Sequence, residues 1–240
     1  MLSSLLVLGC GLIARPGQSR VGAEVLEGLP QQTPVAVPLG DCGPAGDAPD
    51  RTLNVLKNRV DSVASGAWQS VPWALIAHLP WPRNTSYRFR NLWTAGERQE
   101  VGRYEGRAIE VEGYLEGFKL EGAEPPNCYG RRDTAHDYHL WIVEQEGDPR
   151  STSIVAELTP RVRLRHPGWS DERLAVVVRT HARVRLRGWL MLDQMHPEHV
   201  GINRGTLWEV HPVLDLLVRD RTRWVPLDSL SPTGATESPR

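Results

Sequence analysis

The chain has 240 residues, enough to bury a sizeable core, and its 28 Lys and Arg against 29 Asp and Glu give a net charge of −1. This balance excludes a strong overall attraction to nucleic acids or anionic membranes, so any such binding must come from a local patch. The sequence contains no P-loop, dinucleotide fingerprint, CxxC pair or HExxH motif, which removes the usual signatures of nucleotide-binding, redox and zinc-protease classes.

The apolar run within residues 1–14 predicts an export signal, because it has the length of a signal-peptide core and is too short to span a membrane. Residues 7–10, Val-Leu-Gly-Cys, also resemble a bacterial lipobox. Leu8 is large for its place there and no basic residue precedes the run, which a start codon assigned too far downstream would explain. The alternatives are a buried strand or a frayed terminus. We expect an exported or envelope-associated protein, attached to the membrane if Cys10 is lipidated. If the run is not an export signal, the protein is cytoplasmic.

The chain has three cysteines, Cys10, Cys42 and Cys128. If Cys10 is lipidated or removed, the other two form an even pair in an oxidising compartment, and both lie in Gly- and Pro-rich loops. The sequence therefore predicts a disulfide between Cys42 and Cys128, and no cysteine has metal-site spacing.

The first third of the chain predicts little regular structure. Residues 15–52 are rich in Gly, Pro and Ala, which indicates a linker or an irregular wrap. Residues 53–102 predict short helical segments packed on the domain that follows. One helix is expected over 71–79, with Pro72 in its first turn, and a second over 94–104.

Strand patterns dominate from residue 103 to 225. Five strands are predicted, at 107–115, 137–144, 152–158, 182–192 and 206–218, with helical character at 167–179 between the third and fourth. Three strands, a helix and two strands is the order of an OB-fold barrel, and Gly113 and Gly188 lie mid-strand where such barrels bend. The predicted fold class is mostly β: a five-stranded OB-like barrel with short helices, an irregular N-terminal wrap, and a disordered tail over 226–240.

Several strings within residues 53–225 resemble a family of uncharacterised bacterial proteins, above all residues 204–213, Arg-Gly-Thr-Leu-Trp-Glu-Val-His-Pro-Val, an RGTxWExHPV signature. The resemblance implies no activity. At the level of fold alone, the chain is similar to staphylococcal-nuclease-like OB domains. Their Arg, Asp and Glu motif is not recognisable here, which puts nuclease activity in doubt.

Charged and imidazole side chains gather at the ends of the predicted strands, and we predict that most of them meet on one side of the barrel. They form either a salt-bridge network or a site facing a cleft, because a barrel does not bury so many unpaired charges. As a network, Arg161 pairs with Glu157 or Glu209, and Asp193 caps a turn. As a site, the catalytic candidates are His139, Glu157, Arg161, Arg204 and Glu209, and the metal-ligand candidates are His139, Asp193, His196 and His211. The spacing of His196 and His199 could also chelate a metal.

Arginines alternate along two segments, first Arg161, Arg163 and Arg165, then Arg183, Arg185 and Arg187 before Trp189. Arginine planes and tryptophan rings on a barrel face are typical of single-stranded nucleic-acid binders, which leaves a nucleic-acid partner open. The favoured interpretation is cross-strand pairing with Glu110, Glu112 and Glu116.

Two classes of function therefore stay open. One is an envelope-associated, OB-like binding or structural module with an unidentified ligand. The alternative is a metal-dependent hydrolase of phosphodiesters. Unpaired carboxylates and imidazoles around a cavity favour the hydrolase, and a cluster consumed in ion pairs favours the module. The sequence identifies no cofactor.

Residues 1–14 are predicted to lie outside the folded domain, because a Gly- and Pro-rich stretch separates their apolar run from the core patterns. Their backbone amides should exchange rapidly with deuterium in the purified monomer. Slow exchange throughout residues 2–14 would contradict this expectation.

Overall fold

The computed structural model describes residues 24–231 apart from positions 25, 48 and 65, so the predicted signal segment 1–14 and positions 232–240 lie outside the described residues. The described strands are β1 (Gln69–Ser70), β2 (Ala108–Leu120), β3 (Tyr138–Val143), β4 (Ile154–Leu158), β5 (Arg183–Leu192), β6 (Trp208–Asp220) and β7 (Arg223–Pro226). Strands β2 to β6 close a barrel in the order β2-β3-β4-β6-β5, with β5 pairing back onto β2. The predicted five-stranded OB-like barrel is confirmed.

Side-chain alternation explains why these segments form strands. On β2, Ile109, Val111 and Leu115 are buried in the core, while Glu110 and Glu112 face outward. The antiparallel pairing continues around the barrel, except that β4 and β6 run parallel. This parallel contact joins the third and fifth barrel strands and places residues far apart in sequence side by side.

The two mid-strand glycines are required by close backbone approach. A Cβ on Gly113 would lie 2.5 Å from the carbonyl oxygen of Val143, and one on Gly188 would lie 2.4 Å from that of Pro212. The pairing of β5 with β6 also shifts register around Gly188, as expected for a bend. The pairing of β2 with β5 through Gly113 stays regular.

Short α-helices with bounds inside the described residues surround the barrel: α1 (Arg51–Lys57), α2 (Trp73–Ala77), α3 (Ala95–Gly102), α4 (Pro160–Arg163) and α5 (Asp171–Thr180). The predicted helices at 71–79 and 94–104 correspond to α2 and α3, and each is shorter than expected. A capping box between Thr94 and Glu97 starts α3. Helix α5 lies between the third and fourth barrel strands in the sequence. Its buried residues Leu174 and Val177 pack into the core. No helix in the described part of the chain is long and apolar enough to cross a membrane.

The described part of residues 15–52 wraps around the barrel. Leu26 is fully buried, and the Gln31 side chain donates hydrogen bonds to the carbonyls of Gly102 and Glu105. The predicted disulfide is confirmed: Cys42 and Cys128 are bonded, with their Cα atoms 5.7 Å apart. The wrap is therefore attached covalently to the loop between β2 and β3.

Four local predictions need correction. Strand β2 continues five residues past its predicted end at 115, and the short edge strands β1 and β7 were not predicted. Arg161 and Arg163 lie in α4, so the arginine alternation predicted there is wrong. Leu227 and Leu230 are buried, so the predicted disordered tail over 226–240 begins too early.

Replacing both cysteines, Cys42→Ala with Cys128→Ala, should lower the free energy of unfolding by about 2–4 kcal/mol, because the bond restricts an unfolded chain across a separation of 86 residues. Denaturant unfolding under oxidising conditions measures the change, and Cys10→Ala serves as the control with unchanged stability. Ready labelling of Cys42 and Cys128 by a thiol reagent in the native wild type would contradict the bond.

Candidate functional site

The polar strand residues lie on the outside of the barrel wall. Strand register pairs His139 with Glu157 across β3 and β4, and Val155 with Glu209 across β4 and β6. Because side chains alternate along a strand, Glu157, Glu209 and His211 share the outer face. The alternate residues Leu140, Ala156 and Val210 belong to the barrel core.

The N-terminal wrap and the loop after β2 cover this outer face. Arg161 donates from one guanidinium nitrogen to the side-chain oxygens of Asn58 and Asn127, at 2.8 and 2.7 Å, and from another to the carbonyl of Val37 at 2.7 Å. Asn58 in turn donates to the Pro126 carbonyl. The strand residues beneath are consequently buried, with Glu209 fully inaccessible. We call the side chains enclosed here the covered cluster: Lys57, Asp137, Glu157, Asp193, Arg204, Glu209 and His211.

Arg204 is the central cation of the covered cluster. Its guanidinium contacts the carboxylates of Asp193 at 2.8 Å and Glu209 at 3.0 Å, and its Nε donates to the Thr206 carbonyl at 2.7 Å. Burial lowers the pKa of Arg204, but Glu209 and Asp193 outweigh it and raise that pKa above its ordinary value. Burial would raise the pKa of Asp193, but the hydrogen bond from His196 and the charge of Arg204 hold it well below its ordinary value.

His211 connects this ion pair to a third carboxylate. Its Nδ1 lies 3.1 Å from Glu209 and 3.2 Å from Glu157. Burial lowers the pKa of His211, but Glu157 and Glu209 raise it above its ordinary value overall. Burial would raise the pKa of Glu157, but His211, Lys57 and His139 hold it at about 2. The imidazole and both carboxylates therefore stabilise one another's charged forms.

Lys57, at the end of α1, is a second buried cation above the barrel wall. Burial lowers its pKa, yet Glu157, Glu124, Asp193 and Glu209 together raise the pKa well above the ordinary value. The ammonium group thus stays charged and supplies an electrostatic attraction between α1 and the carboxylates of the barrel.

Asp137 is the carboxyl group least suited to ionisation. Burial, together with the negative charges of Glu157 and Glu124, raises its pKa to about 8, while its Oδ1 accepts a hydrogen bond from Asn127 at 2.9 Å. One ligand atom each from Asp137, Glu157 and His211 lie within 4.8 Å of one another. The carboxylate and imidazole donors of this triad suit a divalent metal ion.

Most of the predicted site residues do meet on one side of the barrel, although their chemical roles stay predictions. Glu157, Asp193, Arg204, Glu209 and His211 belong to the covered cluster. His139 lies at its edge, 3.9 Å from Glu157, and His196 contacts Asp193 at 2.7 Å from the half-exposed loop.

The prediction that Arg161 pairs with Glu157 or Glu209 is wrong. Arg161 bonds to carbonyl and amide oxygens of the wrap and of the loop after β2, because α4 turns the side chain away from Glu157 and Glu209. The expected cap is confirmed, since Asp193 accepts a hydrogen bond from the Met195 amide. His196 and His199 stack their rings in the loop, with centroids 5.4 Å apart.

Sequence reasoning missed the covering residues Lys57, Asn58 and Asn127, and omitted Asp137 from the site. Asp137 begins the predicted strand over 137–144 and lies two positions before His139, so the side-chain period of two is the available signal. Lys57 is one of only two lysines in the chain, but no local pattern indicates that α1 places it over the strands.

The arginine stripe on β5 is neutralised by its neighbour. Arg185 contacts Glu112 at 2.6 Å, and Arg187 contacts Glu110 at 2.7 Å, which confirms the cross-strand pairing for these two glutamates. Glu116 pairs instead with Arg150. The stripe therefore offers little free positive charge to a nucleic-acid backbone.

No protein-family model matches the sequence, and no curated protein matches it either. The resemblance to an uncharacterised bacterial family stays a prediction. Function must consequently be argued from the site itself.

Glu209→Gln should reduce the free energy of unfolding by about 3–5 kcal/mol, because it removes one of the two carboxylates that pair with the buried Arg204 and one of the two that pair with the buried His211. The control Glu112→Gln, in the partly exposed stripe, should cost less than about 1 kcal/mol. Denaturant unfolding compares the two variants. Equal, small losses would show that the covered cluster contributes no more than the surface pairs.

Proposed function

We propose that this protein is an exported, envelope-associated OB-like module with a binding or structural role. The observation that carries the proposal is the closure of the covered cluster. Its carboxylates Asp193 and Glu209 are consumed by Arg204, and a wrap bonded through Cys42 covers the face on which they lie. Catalytic groups must reach substrate, and these are engaged with one another.

The disulfide supports the exported location. Structural disulfides persist in oxidising compartments and are rare in the cytosol. The bond between Cys42 and Cys128 is compatible with passage out of the cytoplasm, as is the apolar run before Cys10.

The same covering argues against nucleic-acid binding. OB folds bind oligonucleotides on the outer face of their second and third strands and through two flanking loops. Here β3 and β4 are those strands, and Glu157 on that face is buried beneath the wrap. A ligand of this module is expected to use another surface.

A metal-dependent phosphodiesterase is the second candidate, favoured by the triad of Asp137, Glu157 and His211. The purified protein should show no turnover of bis(p-nitrophenyl) phosphate with Mn²⁺ or Zn²⁺ if it is a module. Sustained turnover that disappears in Asp137→Asn would establish the hydrolase instead.

Export should be visible in cell fractionation. Expressed from its native gene, the protein should be found in the membrane fraction with Cys42 and Cys128 oxidised, and Cys10→Ser should release it in soluble form if Cys10 carries the lipid. Blocking and counting free thiols in each fraction gives the oxidation state. A cytoplasmic protein with both cysteines reduced would overturn the proposal.

A further inference from the structure

The triad of the covered cluster brings together ligands from three neighbouring strands. Asp137 directly precedes β3, Glu157 lies in β4 and His211 in β6. Zinc binds such oxygen and nitrogen donors at about 2.0–2.2 Å, so two ligands of a tetrahedral ion lie about 3.4 Å apart. Ligand atoms within 4.8 Å of one another must therefore approach by up to about 1.4 Å to hold one ion.

His211 provides an independent indication of a ligand. Its ring is 1% exposed, and its Nε2 has no hydrogen-bond partner among the described residues. Its Nδ1 faces carboxylate oxygens of Glu209 and Glu157, so Nδ1 carries a hydrogen and Nε2 is the ring nitrogen left to bind a ligand. Metal-bound histidines are oriented in this way, with the second ring nitrogen donating to a carboxylate.

Glu157 also has an unused ligand atom. Its Oε2 is buried without a hydrogen bond in the described residues, although it faces the His211 ring at 3.2 Å. Within the described part of the chain, Nε2 of His211 and Oε2 of Glu157 therefore both lack a hydrogen bond that a metal ion would have to displace.

Charged groups surround the triad on several elements. The charged or titratable groups that face it are Lys57, Glu124, His139, Arg161, Asp193, Arg204 and Glu209. Lys57 and Arg204 balance the charges of Asp193 and Glu209, which leaves the carboxyl groups of Asp137 and Glu157 as the oxygen ligands for a dication.

We propose that Asp137, Glu157 and His211 form a binding site for a divalent transition-metal ion of the zinc type, enclosed between the barrel wall and the N-terminal wrap. Three protein ligands leave a fourth tetrahedral position for water or a small anion. Because the site is enclosed, the ion enters as the wrap closes during folding. The inference does not depend on the proposed function, since a buried ion can be structural.

The test refolds the full chain, with its disulfide intact, in the presence of Zn²⁺ at mildly alkaline pH, and measures zinc per chain after gel filtration. The wild type should retain about one equivalent. Asp137→Asn removes a ligand but preserves the acceptor for Asn127, so it should fold and bind at least about tenfold more weakly. The control His199→Ala removes one ring of the stacked pair His196 and His199, which lies outside the triad, and should bind zinc like the wild type.

A wild type without stoichiometric zinc would overturn the proposal, as would zinc that is lost in His199→Ala and retained in Asp137→Asn. Zinc binding without hydrolysis leaves the module proposal intact, whereas zinc-dependent turnover overturns that proposal but not this site.

Discussion

The burial of one guanidinium group, that of Arg204, determines how the rest of the polar structure is arranged. A buried arginine cannot discharge, so Asp193 and Glu209 must be buried beside it as carboxylates. Glu209 then orients His211, and His211 contacts Glu157 on the next strand. Asp193 holds His196 and so the loop between β5 and β6. Through these contacts, two strands and one loop are connected to the guanidinium group of Arg204.

This arrangement requires a cover, since carboxylates on an outer barrel face would otherwise be hydrated and their ion pairs weak. The wrap, the end of α1 and the loop after β2 supply that cover together. Lys57 in α1 contributes charge, Arg161 in α4 contributes hydrogen bonds to oxygens of three separate segments, and the Cys42–Cys128 bond limits how far the wrap can separate. The cover therefore keeps the covered cluster out of water.

An internal segment thus occupies the face that other OB barrels offer to ligands. The fold by itself therefore does not identify a ligand-binding surface on this protein. The paired glutamates and arginines of β2 and β5 point to the same conclusion, because they neutralise the second surface that could have attracted a polyanion. The remaining polar atoms without partners, on His211 and Glu157, lie in the interior of the assembly rather than on an open surface.

Local sequence determined the five barrel strands, the helices at α2, α3 and α5, and the disulfide, but not the edge strands β1 and β7. Alternation along β2, the capping box before α3 and two cysteines in loops are each readable within a few residues. The grouping of His211 with Glu157 was also predictable, because strand order and a side-chain period of two place them on one face. Only the tertiary structure decided which polar groups meet across the wrap. Arg161 bonds Val37 across 124 positions, and Lys57 faces strands a hundred or more residues away. Such contacts depend on how an irregular segment without periodicity crosses the barrel, and no local pattern encodes that path.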